Sequence, residues 1–81
     1  GTSSGDVAIG FRARADGNYS TAVGYTTNAS GINATAIADS AAATGTESIA
    51  VGTQATASAT QAIAFGNQTD DTAIDSIAFG E

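Results

Sequence analysis

An alanine recurs at a fixed interval of fourteen residues along this chain. The copies are Ala8, Ala22, Ala36, Ala50, Ala64 and Ala78. A glycine stands two residues after nearly every copy, at Gly10, Gly24, Gly52, Gly66 and Gly80, and Ala38 takes this place in the third copy. A repeat of constant length predicts a solenoid, in which each copy forms one coil and neighbouring coils bury one another. About five coils and a partial sixth are therefore expected over residues 6–81.

Each repeat contains two short segments with the alternation of β-strands. In the first segment, large apolar residues flank a small one, as in Val7-Ala8-Ile9 and Ile63-Ala64-Phe65. In the second segment, small residues alternate with mostly polar ones. Since successive strand side chains point to opposite faces, the second strand is predicted to bury its small residues and to expose the polar set. The glycines after the first strand are predicted to form a tight bend, with Gly17, Gly31 and Gly45 at the other corner.

The first strand is apolar on both faces and must be covered on both. We expect its large side chains to fill the coil interior and its alanine column to face a neighbouring chain, although the sequence leaves the reverse assignment open. The expected interior set is Val7, Ile9, Val23, Ile37, Ile49, Val51, Ile63, Phe65, Ile77 and Phe79. The expected chain-to-chain interface is Ala8, Ala22, Ala36, Ala50, Ala64 and Ala78.

Composition limits the classes of function. The 81 residues include no cysteine and no histidine, so disulfides, common zinc sites and the usual nucleophile–base pairs are not expected. We predict neither an enzyme nor a bound cofactor or metal, and a small chain of this kind is expected to gain stability by association. Arg12 and Arg14 are the only cations and the net charge is -6, which disfavours nucleic acid as a partner. No apolar run is long enough to predict membrane contact by this segment.

Three copies carry a family resemblance: Tyr19-Ser20-Thr21-Ala22-Val23-Gly24, Glu47-Ser48-Ile49-Ala50-Val51-Gly52 and Asp75-Ser76-Ile77-Ala78-Phe79-Gly80. They resemble the head repeat of the trimeric autotransporter adhesins, named after the YadA adhesin. The resemblance implies an all-β, left-handed parallel β-roll that assembles as a homotrimer on the surface of a Gram-negative bacterium. It also implies adhesion to host extracellular-matrix protein, glycan or cells, a role in virulence, and outer-membrane anchoring through regions outside this chain.

Two other functions remain open from the sequence: a segment of a phage or viral fibre, and an ice-binding β-solenoid. An ice-binding face requires a regular threonine ladder, whereas the outward columns of this chain are mixed. The candidate ligand-facing residues are Arg12, Arg14, Asn28, Gln54, Thr56 and Gln68. Phe11 and Tyr25 share one place in the repeat and are expected to stack between adjacent coils.

Two local features depart from the repeat. Residues 1–5 read as a linker or as the frayed end of a preceding coil. Asp71 falls where the other copies place Ala15, Ala29, Ala43 and Ala57. Because a buried unpaired carboxylate is costly, we expect the backbone to turn Asp71 outward in a loop, with a cation site as the alternative.

Overall fold

The computed structural model describes residues 5–80, and this part of the chain is all-β, with no helix. Each complete coil contributes one strand of three residues and one of two residues. The longer strands are β1 (Val7–Ile9), β3 (Thr21–Val23), β5 (Thr35–Ile37), β7 (Ile49–Val51), β9 (Ile63–Phe65) and β11 (Ile77–Phe79). The shorter strands are β2 (Arg14–Ala15), β4 (Asn28–Ala29), β6 (Ala42–Ala43), β8 (Thr56–Ala57) and β10 (Asp70–Asp71).

The strands form two parallel sheets that lie on opposite sides of the coil. The first sheet has the order β1-β3-β5-β7-β9-β11, and the second has the order β10-β8-β6-β4-β2. Each strand pairs with its equivalent in the next copy, so that Ala22 lies beside Ala36 and Ala43 beside Ala57. This register confirms the predicted solenoid of 14-residue coils. The prediction for residues 1–5 lies outside the described residues, apart from Gly5.

Alanine fills the space between the sheets, so the expected orientation of the first strand was wrong. Ala22, Ala36, Ala50 and Ala64 are fully buried inside the coil and are not available to a neighbouring chain. Ala8 and Ala78, in the terminal strands, retain exposure because no further coil covers them within the described residues. The large side chains project outward instead: Val7, Ile9, Val23, Ile37, Ile49, Val51, Ile63, Phe65, Ile77 and Phe79.

The thickness of the coil explains this orientation. Apart from Asp71, the buried side chains within residues 5–80 are Ala, Ser and Thr, and the largest fully buried ones are Thr27, Ser20 and Ser48, so the space between the two backbones holds only small side chains. The second sheet follows its prediction, since Ala15, Ala29, Ala43 and Ala57 are all buried. The solenoid therefore has a narrow interior of small residues and carries its large apolar side chains on the outside.

Two four-residue turns close each coil. In the first coil, the Ala13 amide donates to the Gly10 carbonyl at 3.3 Å, and the Ser20 amide donates to the Gly17 carbonyl at 3.2 Å. The third residue of each turn has a positive φ, for example 59° at Arg12 and 60° at Tyr19. Later coils repeat this conformation at Thr26, Asn33, Ser40, Glu47, Gln54, Gln61, Gln68 and Asp75. The sequence did not predict it, because most of these residue types do not favour a positive φ.

The glycines at the second corner have a steric role. A Cβ built on Gly17 would lie 2.0 Å from the Gly31 carbonyl oxygen, and one on Gly31 would lie 2.0 Å from the Gly45 carbonyl oxygen. The close approach of one coil to the next, and not a left-handed backbone, therefore excludes a side chain from these places.

Candidate functional site

The outward side of the first sheet is an apolar face. We define it as Val7, Ile9, Thr21, Val23, Thr35, Ile37, Ile49, Val51, Ile63, Phe65, Ile77 and Phe79. In strands that have a neighbouring strand on both sides, Ile37 is 38% exposed and Phe65 is 36% exposed, and the Phe65 and Phe79 rings stack with centroids 5.3 Å apart. The in-register pairing of the strands makes these side chains contiguous over six strands. A continuous exposed apolar surface of this kind is typical of an interaction site.

The outward side of the second sheet is a polar face. Its central column is Arg14, Asn28, Ala42, Thr56 and Asp70, one residue from each strand. A turn column flanks it on one side, at Arg12, Thr26, Ser40, Gln54 and Gln68, and a second column flanks it on the other, at Asp16, Ser30, Thr44, Ser58 and Thr72. Three of the six candidate ligand-facing residues, Arg14, Asn28 and Thr56, share the outward side of the second sheet, and the other three, Arg12, Gln54 and Gln68, share one place in the turn before it. Their role in ligand binding stays a prediction.

Side chains at equivalent places in successive coils bond to one another along the polar face and the turns. The Gln68 amide donates to the Gln54 side-chain oxygen at 2.9 Å, and the Thr26 and Ser40 hydroxyls lie 3.0 Å apart. The Arg14 guanidinium bonds the Asp16 carboxylate at 2.7 Å. The contacts between equivalent places order exposed side chains into rows that follow the solenoid axis, whereas the bond between Arg14 and Asp16 lies within one coil.

Aromatic rings add a second kind of row at the first corner. Phe11 and Tyr25 stack with centroids 5.5 Å apart, which confirms the stacking predicted from their shared place in the repeat. The Arg12 guanidinium lies 5.2 Å from the centroid of the Phe11 ring. Phe11 is 61% exposed and Tyr25 is 54% exposed, so this corner presents aromatic surface next to a cation.

Asp71 does not turn outward, and that prediction was wrong. Its side chain lies in strand β10 with 5% exposure, inside the coil at the place of the buried alanines. The carboxylate accepts a hydrogen bond from the Ser76 hydroxyl, from the Ala73 amide at 3.3 Å and from the Ile63 amide at 3.2 Å. These donors replace water and make burial tolerable. No group of three or more acidic side chains within residues 5–80 is arranged to hold a metal ion.

The hydrogen bond from Ser76 lowers the pKa of Asp71 below the ordinary aspartate value of 3.8; burial opposes this change, and the Ala73 and Ile63 amides support it. Because the pKa of Asp71 is lower in the folded chain than in the unfolded chain, the ionised carboxylate stabilises the fold above pH 3.8. This stabilisation is lost as the pH falls through the folded-state pKa of Asp71.

We expect Asp71→Ala to lower the thermal midpoint at pH 7 and to weaken its decline in acid. Thermal melts of the variant and the natural chain between about pH 2 and pH 7 measure this effect. Asp70→Ala, which removes the exposed carboxylate next to Asp71 in the same strand, is the matched control. An acid transition of Asp71→Ala that coincides with that of the natural chain would contradict the role assigned to this carboxylate.

The described part of the chain offers little else as a site. No pocket opens on it, and no helix within it is long and apolar enough to cross a membrane. The two faces of the solenoid are therefore its candidate interaction surfaces.

The fold is that of a repeat module, a parallel β-solenoid with two strands per coil and an apolar outer face. The family model described as the YadA head domain repeat matches residues 2–27, 15–37 and 43–69. These ranges cover most of the sequence, and the chain belongs to the YadA head domain repeat family of trimeric autotransporter adhesins. The predicted resemblance is thus confirmed. No curated protein matches the chain at a significant level.

Proposed function

We propose that this chain is part of the head of a bacterial surface adhesin, works as a homotrimer, and attaches the cell to host extracellular matrix or host cells. The observation that carries the proposal is the apolar face. Membership of the YadA head family supports an extracellular, adhesive role. Anchoring in the outer membrane would be supplied by regions outside this chain.

The energetics of the coil favour association. Its interior buries mostly alanine methyl groups, which contribute far less hydrophobic stabilisation than larger side chains. The large side chains are left partly in water, including Ile37 at 38% and Phe65 at 36% exposure in strands that have a neighbour on both sides. Burying a Val, Ile or Phe side chain completely contributes about 1.5–3 kcal/mol. Contact between the apolar faces of sister chains would therefore recover stabilisation that a single coil cannot obtain.

The polar face is then left for the ligand. It lies on the sheet opposite the apolar face, so trimerisation would leave it accessible on each chain. Arg12, Arg14, Asn28, Gln54, Thr56 and Gln68 are the residues that we propose to face a matrix protein or a glycan. Because the same surface recurs from coil to coil and from chain to chain, weak contacts would add through multivalency.

Ile37→Glu tests the assembly, with Thr44→Glu on the polar face as its matched control. We expect the natural chain and Thr44→Glu to have three times the mass of one chain by light scattering at micromolar concentration. Ile37→Glu is expected to dissociate, because the contact would bury three unpaired carboxylates. Circular dichroism checks that both variants keep their β-structure. A natural chain that is monomeric under these conditions would overturn the trimer.

The same variants test attachment on an array of extracellular-matrix proteins and glycans. We expect the natural chain to bind at least one of them and Ile37→Glu to lose most of that binding, since a monomer has no avidity. Binding of the monomeric variant as strong as that of the natural chain would contradict a role for trimerisation in adhesion.

A further inference from the structure

We propose that the corner after the first strand binds a terminal acidic sugar, a pyranose that carries one carboxylate. The site is a row of exposed side chains, which we call the corner row: Arg12, Phe11, Tyr25 and Asp39. This inference rests on the proposed function, because it names the class of ligand and the residues that recognise it. The corner row supplies three kinds of contact, namely a cation, two aromatic rings and a hydrogen-bond acceptor.

The two rings form an ordered apolar platform. Phe11 and Tyr25 hold the same place in adjacent coils, and their planes are 11° apart. Tyr25 has a coil on each side within the described residues and is still 54% exposed, so its exposure comes from the outward direction of the corner. The C–H groups of a pyranose carry partial positive charge and are attracted to the electron-rich faces of such rings.

Arg12 is the cation of the corner row. Its guanidinium lies 5.2 Å from the centroid of the Phe11 ring, and this contact restricts the side chain before a ligand arrives. The ion pair nearby joins Arg14 to Asp16, and the structure gives Arg12 no carboxylate partner within residues 5–80. A guanidinium binds a carboxylate through two parallel hydrogen bonds. Arg12 is therefore the donor for the carboxylate of the sugar.

Asp39 continues the corner row with the opposite charge. It holds the place of Phe11 and Tyr25 in the next coil and is exposed. Its Oδ1 accepts a hydrogen bond from the Ser40 hydroxyl at 2.9 Å, and a carboxylate accepts further bonds, for which sugar hydroxyl groups are suitable donors. Two coil spacings of about 4.8 Å separate Asp39 from Phe11, so the donor end and the acceptor end of the row lie about 10 Å apart.

This order of groups selects the class of ligand. A polyanion would bring negative charge against Asp39, and a simple carboxylic acid has no hydroxyl donor for it. An acidic peptide offers carboxylates, but no pocket opens on residues 5–80 to take a peptide side chain. A sugar with one carboxylate and several hydroxyl groups satisfies both ends of the row and lies flat across the rings.

The open surface predicts weak binding at each single site. Without a pocket, a Kd of about 1 mM is expected for one sugar. Arg12 lies in the turn column beside the polar face, so contact between the apolar faces of sister chains would leave it accessible. A trimer would present three corner rows, and attachment to a surface that displays many copies of the sugar would gain from multivalency.

An NMR titration of the natural chain tests the site, with the methyl glycosides of N-acetylneuraminic acid and of glucuronic acid as two sources of the acidic sugar. We expect at least one of them to shift the ring resonances of Phe11 and Tyr25 with a Kd of about 1 mM. Methyl glucoside lacks the carboxylate, and N-acetylglutamate lacks the sugar ring. Each of these controls is expected to bind about fivefold more weakly or less. Equal binding of methyl glucoside would overturn the role of Arg12, and equal binding of N-acetylglutamate would indicate an acidic peptide instead.

The other coils supply substitutions that the turn already accepts. Arg12→Gln introduces the residue type found at the same place in Gln54, and both Tyr25→Thr and Asp39→Thr introduce the residue type of Thr53. Each of the three variants is expected to weaken binding of the acidic sugar about fivefold or more, because each removes one of the three kinds of contact.

Two comparisons separate recognition from general electrostatics. Thr46→Glu lowers the net charge by one, as Arg12→Gln does, but lies at the other corner and should bind as the natural chain does. At about 150 mM salt, charges about 10 Å apart are largely screened, so in Asp39→Thr the lost acceptor outweighs the relieved repulsion. Stronger binding by Asp39→Thr, or equal weakening by Thr46→Glu and Arg12→Gln, would overturn the site.

The result is distinguishable from failure of the proposed function. Light scattering on the same samples reports the trimer, and the matrix array reports adhesion. A natural chain that is trimeric and binds a matrix protein, but responds to neither acidic sugar, would overturn the corner row as a sugar site and leave the adhesive role in place.

Discussion

Replacing Ala43 by leucine is expected to destabilise the solenoid by about 3 kcal/mol, a large fraction of the stability of a small domain. Ala43 is fully buried, and its neighbours in the second sheet, Ala29 and Ala57, are also fully buried. The largest fully buried side chains of the coil are Thr27, Ser20 and Ser48, so a leucine in this interior is expected to force the two sheets apart. Separation would in turn break the register of the adjacent coils.

The adjacent residue supplies a matched control. Ala42 lies in the same strand, but its side chain is on the polar face and is partly exposed. Ala42→Leu adds the same atoms and should change the free energy of unfolding by less than about 0.5 kcal/mol. Chemical denaturation of both variants measures the difference. Equal destabilisation by the two substitutions would contradict the assignment of alanine to the coil interior.

The period alone was sufficient to predict the solenoid, because a constant spacing allows only one register between copies. It placed both strands of each coil, the bend after the first strand, and the stacking of Phe11 on Tyr25. It also identified the small residues of the second strand as buried, since the alternation there contrasts apolar with polar side chains.

The orientation of the first strand could not be predicted in the same way. Large and small apolar residues alternate along it, so hydrophobicity gives no preference for either face. The deciding quantity is the distance between the two sheets, which depends on how tightly the turns close and is not expressed in any single repeat. The alternate alanines of the second strand, at Ala15, Ala29, Ala43 and Ala57, are the signal in the sequence that indicates a narrow interior.

Asp71 was misplaced for a related reason. The rule that an unpaired carboxylate avoids burial is sound, but its partners could not be identified from the sequence. Ser76 follows five residues later and the Ile63 amide precedes Asp71 by eight, and only the closed coil brings both to the carboxylate. The sequence thus showed the anomaly, and the coil geometry determined its consequence.

The arrangement of side chains connects the fold to the proposed assembly. A coil that is thin enough to be closed by two short turns excludes large side chains from its interior, so its Val, Ile and Phe residues must lie outside. The same geometry that makes the single coil poor in hydrophobic contacts therefore creates the surface through which sister chains would associate.

Gly52→Ala is expected to destabilise the chain by about 2–4 kcal/mol, through the backbone and not through the interior. Gly52 has a φ of 132°, which a residue with a Cβ rarely adopts, and an added Cβ would lie 2.4 Å from the Gly66 carbonyl oxygen of the next coil. That oxygen belongs to a stacked turn and cannot move without disturbing the following coil.

Ala38 occupies the equivalent place one coil earlier and provides the reciprocal test. Its φ of 98° is unfavourable for alanine, so Ala38→Gly should stabilise the chain by about 1 kcal/mol by relieving that strain. The two variants exchange glycine and alanine in opposite senses at equivalent places. The denaturant midpoint of Gly52→Ala should therefore fall below that of the natural chain, and the midpoint of Ala38→Gly should rise above it. A shift of both midpoints in the same direction would mean that glycine at this bend is not required by its backbone conformation.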